Sequence, residues 1–303
     1  MDRKIILNRM RNNPFFMTGM ITAFILVVLL LLAPVITRYD PIANNLREAK
    51  LAPEYFARGI DGHVLGTDQL GRDIYTRVLY GGRASLLLAV IVTSCQIVMG
   101  SVLGIMAGYF GGWVDAFIMR MCEVFMSIPN LILAIAVVSI FGASMLNLVI
   151  VLTLTGWIRC AKITRNAVKM IRHQEFVHAS KAIGCSGGFI MFRQILPNVT
   201  TQIIIQASQR IGLCILTEAS LSFLGLGIQP PDASWGNMIS VGRQYLTTHP
   251  WMCFAPGIAL MITCMAFNFL GDGLRDVLDP KRTSVKVKKK DAKKAIKGGA
   301  VNG

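Results

Sequence analysis

Six stretches of this chain are too apolar and too long to be core elements of an ordinary soluble domain. They lie at about 15–36, 84–106, 116–140, 144–160, 200–222 and 251–271. The first, Phe15 to Ile36, has 22 residues. At 1.5 Å per residue it reaches about 33 Å, enough to cross a bilayer core of about 30 Å. The chain is therefore predicted to be all-α, a polytopic membrane protein of six transmembrane helices. Composition supports this: 53% of the 303 residues are hydrophobic and only 16% are charged, where soluble domains carry about 25%. A water-soluble globule, a disordered chain and a disulfide-rich secreted scaffold are excluded. The basic N-terminus followed by an apolar run could be a signal peptide, but this run is too long and no small-x-small cleavage site directly follows it. It reads as a retained first span.

The net charge of +15 would suggest nucleic acid in a soluble protein. Here its placement matters more. Residues 1–11 carry a net +3, residues 159–193 carry +6, and residues 281–303 carry +8, so the rest of the chain is slightly negative. With six spans all three blocks fall on one face, the positive-inside pattern. This predicts cytoplasmic termini, with 1–13, 107–115, 161–198 and 272–303 inside and 38–83, 141–143 and 223–250 outside. The segments then read as a cytoplasmic stretch 1–13, a first helix 14–37, an outer segment 38–83, a five-helix unit 84–275 with its loop 161–198, and a basic tail 276–303. In the outer segment, GTDQLGRD (66–73) suggests an irregular cap followed by an interfacial helix from about Asp73. The tail is lysine-rich and low in complexity, suited to anionic lipid headgroups. Membrane lipid, not nucleic acid, is the partner that this charge implies.

Gly100, Gly104 and Gly108 recur at steps of four in the second run and line one helix face, where another backbone can approach. Asp115, Arg120 and Glu123 open the third span before Pro129, where they can snorkel or pair at three-residue spacing. The seven cysteines are odd in number, lack CxxC spacing and mostly lie in apolar runs, so they read as core packing. No GxxxxGK[ST] loop occurs, nor any Gly-Lys dipeptide, so the chain has no Walker A loop to cradle phosphates. His63, His173, His178 and His249 are scattered with no HExxH or cysteine partners, and no GxSxG occurs. No catalytic residue and no metal site is expected.

The loop between the fourth and fifth spans is long for a bundle connection. Residues 159–171 continue the fourth span with alternating bases. EFVHASKAIGCSGGFIMFRQILPN (175–198) then reads as a short helix with small Ala179, Ser180 and Ala182. A break at Gly184, Gly187 and Gly188 follows, then a second apolar helix and a stop at Pro197. A short helix presenting small residues suits docking into a groove. The alternative is an amphipathic helix on the membrane surface, which 189–196 alone would satisfy.

This stretch resembles the "EAA" loop of ABC importer permeases: Glu-Ala-Ala, a glycine four residues beyond the last alanine, and a closing Leu-Pro. The matching positions are His178-Ala179-Ser180, Gly184 and Leu196-Pro197. His178 replaces the glutamate, Ser180 replaces the second alanine, and the usual isoleucine is displaced to Ile195. NPFFMTGMI (13–21), GTDQLGRDIYTRVLYGGRASL (66–86), EASLSFLGLGIQPPDASWGNMI (218–239) and NFLGDGLRDVLDP (268–280) resemble the C-type permease subunit of the peptide and nickel group. The likeness covers about residues 9–283. It implies a type I permease core formed by the last five spans, with the first span peripheral. It also implies a homologous permease partner, two ATP-binding subunits that hold ATP and Mg, and an extracytoplasmic substrate-binding protein. No cofactor would sit in this chain. Glu175, His178, Ala179, Ser180, Ala182, Gly184, Leu196 and Pro197 would carry the coupling to the ATPase. Peptides are the most common cargo of that group, nickel chelates or another small solute the alternative. Localisation would be the prokaryotic inner membrane.

The fifth span carries Gln202, Gln206, Gln209, Arg210 and Glu218. The first four recur at three- and four-residue steps and form a polar stripe that lipid would not tolerate. It reads as lining a substrate path or as polar glue between subunits. Glu218 lies eight residues beyond Arg210, about 80° around the helix, so the two should not pair. A secondary transporter or channel would need internal repeats, broken helices or mid-membrane carboxylates, and no convincing repeat is found.

Overall fold

The computed structural model describes residues 3–53 and 62–278. The lysine-rich run from 281 lies outside the described residues. Twelve α-helices are described. The first is α1 (Arg3–Asn12). In α2 (Pro14–Leu31) the Asn13 side chain accepts the Phe16 N–H at 3.2 Å, and Pro14 occupies the first turn, where a missing N–H loses no bond. After α3 (Ala33–Ile36) comes an irregular strap, 37–53 and 62–73. There follow α4 (Ile74–Phe110), α5 (Gly112–Ser127), α6 (Asn130–Phe141) and α7 (Met145–Ile171). The connecting loop holds α8 (Glu175–Ala182) and α9 (Gly187–Phe189), which runs through a π-helical stretch, Ile190–Ile195, into α10 (Leu196–Phe223). The chain continues with α11 (Trp235–Gly242) and α12 (Trp251–Leu278). No strand occurs among the described residues beyond one isolated bridge, Thr67 to Asp73.

Four helices, α2, α4, α7 and α12, are each long and apolar enough to cross a membrane, and the pair α5 and α6 makes a fifth candidate. The sixth expected run is α10, with 28 residues, or about 42 Å. Its polar stripe keeps it below the hydropathy of the others.

Three local expectations are corrected. No separate interfacial helix starts at Asp73: its carboxylate caps α4 through the Thr76 N–H at 2.7 Å, and the helix runs unbroken for 37 residues. Nothing between 74 and 110 supplies a breaker, since the glycines lie on a packed face. The expected single third span is two helices bent by 81°, because Pro129 has no N–H to donate and disfavours helical backbone at Ile128. Finally, Pro197 stops nothing; it sits in the first turn of α10, and the π-helical stretch Ile190–Ile195 runs into that helix without a break.

The core forms where α4, α7, α10 and α12 meet, around Leu88, Val92, Leu148, Val151, Ile215 and Phe267. The glycine face of α4 packs on α7 as the spacing predicts. A Cβ added at Gly100 would lie 2.6 Å from the Trp157 carbonyl oxygen, and one at Gly108 would lie 2.7 Å from Val168 Cβ. α2 buries only Phe16, Gly19, Ala23 and Leu30, one stripe at helical spacing. Phe24, on another face, is 68% exposed. It is a peripheral helix leaning on α12 and α4.

Candidate functional site

α8 buries one residue. Val177 is fully buried and joins Ile105 of α4, Ala167 and Val168 of α7, and Ile190 and Ile195 of the π-helical stretch in a satellite cluster. Glu175 sits in the first turn, where a carboxylate complements the helix dipole. Gly184 ends the helix at φ +85°. The Cys185 N–H bonds the Ser180 carbonyl at 3.0 Å and the Gly184 N–H bonds the Lys181 carbonyl at 3.0 Å, a Schellman cap. The Ser180 hydroxyl accepts from the Gln194 amide at 2.6 Å, tying α8 to the stretch that feeds α10.

The outward face of α8 is apolar and uncovered. Phe176, Ala179 and Ile183 recur at steps of three and four, and Ile183 is 82% exposed. His178 and Ala182 are exposed beside them, with His173 and His178 ring centroids 6.5 Å apart. Of the eight residues expected to act together, Glu175 through Gly184 share this protrusion. Leu196 and Pro197 form the base of α10 beyond the π-helical stretch.

The polar stripe divides. Gln209 donates to Asp272 of α12 at 2.9 Å. Arg210 donates to Gln96 Oε1 of α4 and to the Gly156 carbonyl of α7, each at 2.9 Å. Arg210, Gln96 and Thr155 border a cavity of about 90 Å³ between α6, α7 and α10. Gln202 and Gln206 lie on the same side of the helix with no hydrogen bond within the described residues, Gln202 exposed and Gln206 half-buried. Glu218 is fully buried, accepting from Ser85 at 3.0 Å and Ser222 at 2.6 Å. It does not pair with Arg210, as the helical spacing requires.

Several cross-helix contacts had no sequence signal. Arg120 and Glu123 pair at 2.9 Å as expected, but Asp115 reaches α7, bonding Lys169 Nζ at 2.7 Å and Arg165 Nη2 at 2.6 Å. At the opposite end of the bundle, His63 bridges the Asp73 carboxylate at 2.9 Å and Glu48 at 3.3 Å, stacked on Tyr39. Arg77 reaches from α4 to the Pro41 carbonyl at 2.6 Å. Beside this strap an open, mainly apolar cavity of about 790 Å³ lies between α2, α4 and the 228–233 loop.

The structure is thus a helical membrane bundle that presents a short, capped, apolar-faced helix beyond its apolar spans. Solved structures of the inward-facing MetNI methionine ABC transporter have the same fold, with a TM-score of 0.55 at 19% identity, covering 68% of this chain and 98% of that one. The chain belongs to the family of binding-protein-dependent transport system inner membrane components, whose model matches residues 100–284. Residues 3–53 match the N-terminal transmembrane domain of oligopeptide transport permease C. It is 37% identical to a dipeptide transport system permease protein of Alkalihalophilus pseudofirmus, covering 91% of this chain and 89% of that protein. It is 36% identical to an oligopeptide transport system permease protein of Bacillus subtilis, over 90% and 88%. It is 41% identical to a glutathione transport system permease protein of Pectobacterium atrosepticum, over 73% and 74%. The resemblance to C-type permeases of the peptide group, read from the motifs, is borne out, and the chain is a multi-pass inner-membrane transport component.

Proposed function

We propose that this chain is one of two membrane subunits of an ATP-driven, binding-protein-dependent importer of short peptides. It forms half of the path and hydrolyses no ATP itself. The observation that carries the coupling role is the α8 face of Phe176, Ala179 and Ile183, held out by Val177 and left exposed among the described residues. In this reading it docks into a groove on an ATPase subunit, with a second ATPase beneath the partner permease. The peptide assignment follows the named cargoes of the relatives, and glutathione is itself a peptide. Uptake of labelled dialanine by vesicles holding the purified complex tests it; a complex that hydrolyses ATP but moves only a nickel chelate would overturn the cargo.

The basic blocks support a topology with the α8 end in the cytoplasm and the strap outside. An impermeant thiol reagent added to intact cells should label Val64→Cys, on the strap and 54% exposed, and spare Met170→Cys, 77% exposed at the other end. The reverse pattern would invert the topology.

Gln202 and Gln206 are the stripe positions free to face substrate or the partner permease. Gln206→Leu is expected to leave the complex assembled and to change peptide uptake. A complex that falls apart on purification would make the stripe an adhesive seam between subunits.

A further inference from the structure

The α8 protrusion is not attached to the bundle only through its chain neighbours. Tyr109, in the last turn of α4, lies beneath the corner of the loop. Lys181 Nζ stands 5.2 Å over its ring centroid. On the far side of the Gly184 turn, Gly187 is close enough that an added Cβ would lie 3.3 Å from the ring. One aromatic ring thus lies next to both arms of the turn. Just before α8, Arg172 donates to the Gly108 carbonyl at 3.2 Å and the Tyr109 carbonyl at 3.4 Å. Those carbonyls belong to the end of α4, where the dipole favours a cation.

α4 then runs about 55 Å without a break. At its far end Asp73 caps the helix and holds His63, which reaches Glu48 in the strap. Between its ends it meets α10 through Gln96 with Arg210 and through Ser85 with Glu218. A displacement of α8 therefore enters a stiff rod whose other end carries the strap.

We propose that Tyr109 is a positioning residue through which α8 moves α4, relaying the nucleotide stroke to the strap at 62–73. This rests on the docking role of α8. Mechanically, the ring faces Lys181 with its π-surface and Gly187 with its Cε1 edge, which an added Cβ would meet at 3.3 Å against 3.5 Å for the hydroxyl, so the ring is expected to carry most of the contact.

Hydrogen–deuterium exchange on the complex purified from its native membrane, nucleotide-free against trapped with ATP and vanadate, tests this. In the unaltered complex trapping should change exchange at both 175–190 and 62–73. In Tyr109→Ala the change at 175–190 should persist while that at 62–73 falls by about threefold or more, the scale of one lost cation–π contact and its packing. Tyr109→Phe should restore both. If Tyr109→Ala does not assemble, Lys181→Met, which removes only the cation, should reduce the 62–73 response in the same direction. A full 62–73 response in both Tyr109→Ala and Lys181→Met, a loss in Tyr109→Phe as large as in Tyr109→Ala, or no change at 62–73 in the unaltered complex would overturn the relay. Absence of any change at 175–190 in the unaltered complex would instead overturn the docking reading on which it rests.

Discussion

Ala179→Asp is expected to leave the chain inserted and folded while ATP-driven uptake falls by a hundredfold or more. The side chain is exposed, so the substitution should disturb little within the described residues. The penalty arises only when the α8 face is covered. A carboxylate buried against a partner without a counter-charge costs about 3–5 kcal/mol, and each 1.4 kcal/mol is about tenfold in an equilibrium constant. Co-purification of the ATPase with the variant, and uptake by vesicles containing it, measure the effect. Normal uptake with the ATPase still attached would make α8 a surface helix. Gly184→Trp should act similarly, but its φ of +85° strains any side chain. Gly184→Ala is the control: an added Cβ there meets nothing within 4 Å, so its loss measures backbone strain alone.

The second large effect is expected within the bundle. Gly104→Leu should prevent the α4–α7 seam from closing and cost about 3 kcal/mol or more, at or beyond the usual range for overpacking. A Cβ at this position would lie 2.6 Å from the Ala161 carbonyl oxygen and 2.8 Å from Thr164 Cβ. The first obstacle is backbone and cannot rotate away. Relief requires the two helices to separate along the whole seam, which would also break the bond from Gln96 to the Leu152 carbonyl. Thermal unfolding of the detergent-solubilised chain reads this out, with Gly104→Ala intermediate. An unchanged melting temperature for Gly104→Leu would mean that the seam is looser than its geometry.

These two sites were legible in the sequence for different reasons. The glycines repeat at a period of four, and a helix converts that period directly into a face. α8 was legible because small residues, a left-handed glycine and a following break are all local in the chain. What escaped is what depends on two distant segments meeting. Asp115 gave no sign that its partners lie at 165 and 169, nor Gln96 that it would hold Arg210. The polar stripe on α10 was readable as a stripe. Its division into Gln209 and Arg210, bonded inside the chain, and Gln202 and Gln206, whose side chains have no hydrogen bond among the described residues, depended on the rotation of α10 against α4 and α12. Pro129 and Pro197 show the same limit on a smaller scale. Each proline was visible, yet one bends the chain by 81° and the other merely begins a helix. The difference lies in the residue before each proline: Ile128 leaves the helical region at ψ 125°, while Leu196 stays helical at ψ −47°.

The bend at Pro129 has a consequence for the bilayer itself. An unbroken helix satisfies its own backbone groups and can be ringed by acyl chains at every height. At a break between Ser127 and Asn130 the last carbonyls of one helix and the first amides of the next lose their partners within the ladder. Ser127 bonds the Val124 carbonyl at 2.7 Å and serves one of them. Hydrocarbon can serve none. If α5 and α6 form one span, the annulus of lipid around this subunit is interrupted at that height, and the gap is hydrated or closed by another protein surface. Asn130 also borders the cavity reached by Arg210, so water that entered at the bend would meet that guanidinium.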